Sequence, residues 1–228
     1  MTIRVRFGKE GSLRYIGHLD LLRTFQKIFR RAGIPMCFSN GFSPHPIMSF
    51  ALPLGLGLTS EGEYLDAEIE EGMGPEEVLE RLQNATSDEL PVYAVIVLPE
   101  KAGNAMASVG RAVYRFIFGE MDAEDAAAVR QALESFLAAA AVPIRKKTKT
   151  REIEEDIRPM VFAAALTEAG LVLDLAAGSA ANLKPELLLE TLKERFGFPA
   201  GLKPESLRRL DLLRADGSSL GEAEGGGE

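Results

Sequence analysis

The apolar residues of this chain change their spacing from two to about 3.6 and back in one order, then do so again, and no other feature restricts the fold as strongly. Met1-Thr2-Ile3-Arg4-Val5-Arg6-Phe7 alternates polar and apolar residues, which predicts a first strand rather than the continuous apolar stretch of a signal peptide. From His18 to Ala32, Leu22, Phe25, Ile28, Phe29 and Ala32 recur at helical spacing; Gly33 stops that helix and Pro35 prevents its return. The apolar run Ile47 to Leu58, broken by Pro53, Gly55 and Gly57, is too interrupted for a helix. Glu63 to Glu70 alternates as a strand with one wet face would. Pro75 opens a short helix to Asn84, and Val92 to Leu98 is a β-branched strand.

The resulting order, β-α-β-β-α-β, is followed by a similar one. Strand Ala112 to Phe118, helix Ala123 to Ala141, strands Val142 to Lys149, Met160 to Leu166 and Leu171 to Ala176, helix Pro185 to Phe196, and strand Leu207 to Leu213 follow in turn. A length of 228 residues suits two domains of about 100 residues each. The expectation is an α+β protein of two tandem ferredoxin-like sandwiches, residues 1–100 and 110–214, each an antiparallel sheet with two helices on one face. The boundary falls in Pro99 to Gly110, where Gly, Asn, Ala and Ser predominate. From Ala215 to Glu228, small and acidic residues predict a disordered tail.

Cys37 is the only cysteine, which excludes an internal disulfide, a four-thiolate zinc site and a cysteine-ligated iron–sulfur cluster supplied by this chain alone. A buried, inert thiol between Met36 and Phe38 is the simplest reading. No apolar run approaches the roughly 20 residues that span a bilayer, so neither a membrane nor an exported location is expected, and the chain is assigned to the cytoplasm. The net charge of −8 averages over unlike segments. Residues 1–60 hold eight Lys/Arg against Glu10 and Asp20, whereas residues 61–141 hold five bases against seventeen acids. One surface can therefore be basic on an acidic molecule, and the local field decides what approaches it.

Three constellations carry candidate chemistry. On the first helix Arg23, Lys27, Arg30 and Arg31 fall within an arc of about 100°; this is either a solvated face or a ridge for nucleic-acid phosphates, where counterion release rewards closely spaced cations. In Gly41-Phe42-Ser43-Pro44-His45-Pro46, two prolines fix the backbone around His45, and Phe42 with Phe50 offers stacking surfaces for a base; the alternative is a loop pinned to its own domain. Arg145-Lys146-Lys147-Thr148-Lys149-Thr150-Arg151 forms an arm for phosphates through Lys146, Lys147 and Lys149, or else neutralises the acidic residues that follow it. His18, His45 and Asp20 raise a metal site or an acid–base pair. His18 opens the helix on its apolar side, where a packed or capping imidazole is the commoner outcome, and two histidines with one aspartate do not make a metal centre. No metal or other cofactor is expected. Gly55-Leu56-Gly57-Leu58 lacks the third glycine and the helix of a dinucleotide loop.

Tyr15 to Phe25, Phe29-Arg30-Arg31-Ala32-Gly33-Ile34-Pro35, Ser39 to Pro46 and Glu61-Gly62-Glu63-Tyr64-Leu65-Asp66 resemble the bacterial radical-SAM-linked protein family, and Asp156-Ile157-Arg158-Pro159 and Ser179 to Pro185 are similar to its pattern too. The resemblance implies a domain of unknown function encoded beside, or fused to, B12-binding-type radical SAM proteins, often near genes of RNA metabolism. This chain has no three-cysteine enzyme module, so any radical chemistry belongs to a separate partner. The combined expectation is a non-catalytic, RNA-binding accessory protein that presents tRNA or rRNA, and not DNA, to a radical SAM enzyme. The proposed contacts are Arg23, Lys27, Arg30, Arg31, Phe42, His45 and Phe50. A weaker likeness to CRISPR repeat-processing endoribonucleases supplies an alternative, a metal-independent ribonuclease using His18 or His45. A protein-interaction module docking on the radical SAM partner is the third reading.

Overall fold

The computed structural model describes residues 1–147 and 152–222, with 146–147 and 152–153 as backbone only. It divides into two compact units, one of Met1–Gly110 with Arg209–Glu228 and one of Arg111–Arg208. Its elements are mixed α and β, with mostly antiparallel strands and five α-helices among the described residues.

In the first unit, β1 (Thr2–Lys9), α1 (His18–Arg31), β2 (Met48–Phe50), β3 (Thr59–Glu68), α2 (Pro75–Ala85) and β4 (Val92–Val97) follow the expected order. A four-residue α3 (Ala105–Ser108) lies in the expected linker. β1 sits between β4 and β3, and the short β2 pairs with Leu65–Ala67 of β3, off the path β4-β1-β3 of the sheet; these pairings are antiparallel. Alternation on β1 sends Ile3, Val5 and Phe7 to the helices, where they are buried with Phe25, Ile28 and Phe29 of α1 and Val78 and Leu82 of α2. Phe7 meets Phe25 edge-on, with ring centroids 4.7 Å apart. α1 ends as its sequence predicts: Gly33 takes a φ of +65°, and the Ile34 amide returns to the Phe29 carbonyl at 3.1 Å.

The polar face of this sheet is covered around Arg4, Tyr64 and Asp66. In register, Arg4 stands opposite Asp66 and Arg6 opposite Tyr64. Arg4, 1% exposed, makes a two-pronged ion pair with Asp66 at 2.7 and 3.0 Å and donates to the Leu220 and Gly103 carbonyls. The remaining capacity of Asp66 is taken by the Ala105 amide at 2.6 Å. On the other, helix-facing side, where Glu63 stands opposite Phe7, a second buried pair joins Arg209 to Glu63 at 2.7 and 2.5 Å. The expectation of one solvated strand face fails because residues 103–105 and 209–220 cover it. The structureless reading of the tail is corrected for residues 215–222: Leu220 is fully buried, and Arg214 donates to the Ser219 and Glu222 carbonyls. The remaining tail, 223–228, lies outside the described residues.

The second unit holds β5 (Arg111–Phe118), α4 (Ala123–Ala138), β6 (Pro143–Lys147), β7 (Glu152–Asp156), β8 (Val161–Thr167), β9 (Gly170–Ala176), α5 (Pro185–Arg195) and the first half of β10 (Pro204–Leu213). β9 pairs antiparallel with β5 on one side and β8 on the other. β6 and β7 form a separate two-stranded ribbon, and β7 had no counterpart in the sequence reading. Phe116, Leu133, Phe136, Leu171, Leu173, Leu188 and Leu192 are buried in this unit.

Candidate nucleic-acid interface

α1 is positioned from both ends. At its start the Lys9 ammonium, 1% exposed, donates to the Ile16 carbonyl at 3.0 Å and reaches that of Arg14 at 3.5 Å, which fixes the turn that leads into His18. Burial lowers the pKa of Lys9, nearby Glu63 opposes the shift and Arg209 adds to it. At its other end Arg31 donates to the Ala85 carbonyl at the C-terminus of α2, a cation on the negative end of a helix.

Between these ends α1 presents Arg23, Gln26, Lys27 and Arg30 to an open groove of about 510 Å³. The opposite lining is Ile34, Met36, Phe38 and Pro46, from the segment after the helix. Phe38 and Pro46 are held together by an isolated antiparallel bridge, which sets the ends of the loop between them. Phe38 is 56% exposed and stacks on no other ring among the described residues. The groove thus has cations on one side and apolar surface on the other. That combination suits a ligand with a flat apolar part and a negative part.

Of the four cations predicted on α1, the structure brings three together. Arg23, Lys27 and Arg30 share the groove, with Arg23 also in an exposed pair with Asp20 at 3.1 Å, which stabilises little. Arg31, at the edge of the helical arc, turns the other way to α2. Phe50 is withdrawn as a stacking surface: it is 4% exposed and packs against Phe7 and Phe25 in the core. Phe42 is fully exposed at the loop tip. His45 is exposed, with Nδ1 2.9 Å from the Ser39 hydroxyl. His18 is exposed rather than packed into the apolar side, though its ring meets the edge of Phe50 at 5.2 Å. Neither histidine occurs among the described residues lining the groove.

Lys146 and Lys147 lie on β6, whose register sets Lys147 opposite Glu152 and Arg145 opposite Glu154; Lys149 lies outside the described residues. Cys37 is half-buried. Among the described residues no three His, Cys, Asp or Glu side chains come together to hold a metal ion, and no helix is long and apolar enough to cross a membrane.

Sequence reasoning missed Gln26, Ile34, Met36 and Phe38, and read Pro46 only as a brace for His45. The signal was present in the alternation Ile34, Met36, Phe38, which puts three apolar side chains on one side of an extended segment beside the cationic helix face.

These features define a class: a mixed α/β protein with a cationic helix bordering an apolar surface groove. Residues 2–185 match the model of a family described as an uncharacterized protein conserved in bacteria (DUF2344), and the chain belongs to that family. The match covers the whole groove and ends at the first residue of α5. No curated protein matches the sequence.

Proposed function

We propose that this protein is a cytoplasmic RNA-binding accessory protein that presents RNA, of the tRNA or rRNA class, to a partner radical SAM enzyme. In this reading each unit is a ferredoxin-like sandwich. The path β4-β1-β3 with β2 paired to β3 in the first supports it, as does β9 between β5 and β8 in the second with the β6–β7 ribbon inserted. The single observation that carries RNA binding is the groove, in which Arg23, Lys27 and Arg30 stand along one helix face over an apolar floor that includes an exposed ring. Cations alone would serve any anion; the adjoining ring and aliphatic surface favour a polyanion with exposed bases. The partner class rests on the resemblance of the Tyr15–Phe25 and Ser39–Pro46 motifs to radical-SAM-linked proteins.

Filter binding of cellular RNA at low salt tests it. The protein is expected to retain RNA, and the triple variant Arg23→Glu, Lys27→Glu, Arg30→Glu to lose about tenfold or more in affinity. Arg31→Ala, which removes a cation directed to α2, is expected to bind as the parent does. No retention of RNA, or equal retention by the triple variant, sinks the proposal. Labelled RNA incubated in EDTA is expected to stay intact. Cleavage abolished by His18→Ala or His45→Ala would replace this reading with the ribonuclease one.

A further inference from the structure

Resting on that reading, we infer that the groove takes an unpaired RNA base, its face against Phe38 and its edge at the Gln26 amide, so that the protein selects single-stranded over double-stranded RNA. Three features of the site lead there. A volume of about 510 Å³ is of small-ligand size and accommodates a nucleotide or two, not a helix. Phe38 is exposed on the groove wall with no ring upon it, so the site has an apolar face that phosphates cannot cover. Gln26 has no hydrogen-bond partner among the described residues, and its amide offers both donors and an acceptor. A phosphate offers only acceptors and a hydrocarbon chain neither; a base edge offers both.

The cations fit the same occupant. Arg23 to Arg30 spans about 10 Å along the helix at about 1.5 Å per residue, enough for neighbouring phosphates of one strand. In an RNA duplex the base faces are stacked away and the major groove is too deep and narrow for side chains, so a duplex reaches the cations and leaves Phe38 bare. A single strand satisfies both sides of the groove together.

Fluorescence anisotropy of the full-length protein with a short 5′-labelled strand, the duplex of that strand, and the strand with abasic positions tests the inference. The single strand is expected to bind about tenfold tighter than the duplex or the abasic strand. Phe38→Ala is expected to lose about tenfold on the single strand and nothing on the duplex, while Phe38→Tyr, which keeps a ring, binds as the parent does. Gln26→Ala is expected to level the affinities for the four homopolymers. Equal binding of single strand, duplex and abasic strand overturns the base slot while leaving RNA binding in place; absence of binding to all of them removes both readings. Displacement of the strand by polyglutamate as readily, charge for charge, as by polyuridine reassigns the groove to an acidic peptide and overturns the inference.

Discussion

Tyr64 sits on β3 with its hydroxyl donating to the Asp211 carboxylate at 2.6 Å and 3.0 Å from the Ser219 hydroxyl. Burial raises its pKa well above the ordinary 10.0, and the bond to Asp211 adds to the shift. The folded phenol therefore keeps its proton at pH values where the unfolded one has lost it. The stability this contributes is complete below the ordinary tyrosine value and is lost as pH rises beyond it. Lys9 acts with the opposite sign: burial lowers its folded pKa, so just below the ordinary 10.5 the unfolded chain binds more protons and stability rises with pH. Urea unfolding against pH is expected to show Tyr64→Phe removing the alkaline loss and Lys9→Met removing the rise before it. The buried pair of Arg209 and Glu63 makes a larger claim. Arg209→Ala leaves the Glu63 carboxylate, 4% exposed, without its guanidinium and is expected to cost about 3–5 kcal/mol. Replacing both partners by Met and Leu is expected to restore most of that, a double-mutant cycle read by amide exchange on β1 and β3.

β3 decides the first unit, because β1 and β2 pair with it and the returning residues of β10 lie against it. Gly62 marks that return: a Cβ there would lie 2.3 Å from the Leu210 carbonyl oxygen. The elements themselves were legible in the sequence, since period two on β1 and period 3.6 on α1 follow directly from which residues face a core. The closing of the polar face was not. Arg4 and Asp66 read as solvent residues because charges usually are, and only the distant residues 103–105 and 220 turn them into buried partners. Periodicity also overcounted the cationic ridge, since a helical arc shows where Arg31 begins and not that it ends on the Ala85 carbonyl. The Asp156-Ile157-Arg158-Pro159 stretch proves structural: Asp156 accepts from the Val142 and Arg158 amides, and Arg158 donates to the Leu137 and Val161 carbonyls. Leu220 is the plainest test of the returning segment. Leu220→Ala is expected to lower stability by about 2–5 kcal/mol, seen as an earlier urea midpoint, whereas a tail without structure would leave the midpoint unchanged.

Charge on the whole molecule has to be counted by what each group faces. Of the eight cations in residues 1–60, Arg4 and Lys9 are buried and Arg31 is spent on α2, so the excess read from the sequence overstates what a polyanion meets. The net charge of −8 then repels RNA everywhere except where a few cations lie close together. Three groove cations, at about 0.7 counterions released per phosphate on a single strand, predict a slope of about −2 for log K against log salt. Engagement of the Arg145 to Arg151 run as well would add further phosphates and steepen the slope to about −4 or beyond. An acidic protein whose affinity comes from a small groove should show the shallower value, with a residual salt-independent part from stacking on Phe38. Anisotropy titrations across a salt series give both: a slope near −2 in the parent that falls by about 0.7 with Arg30→Gln, and an intercept at high salt that falls with Phe38→Ala while the slope stays where it was.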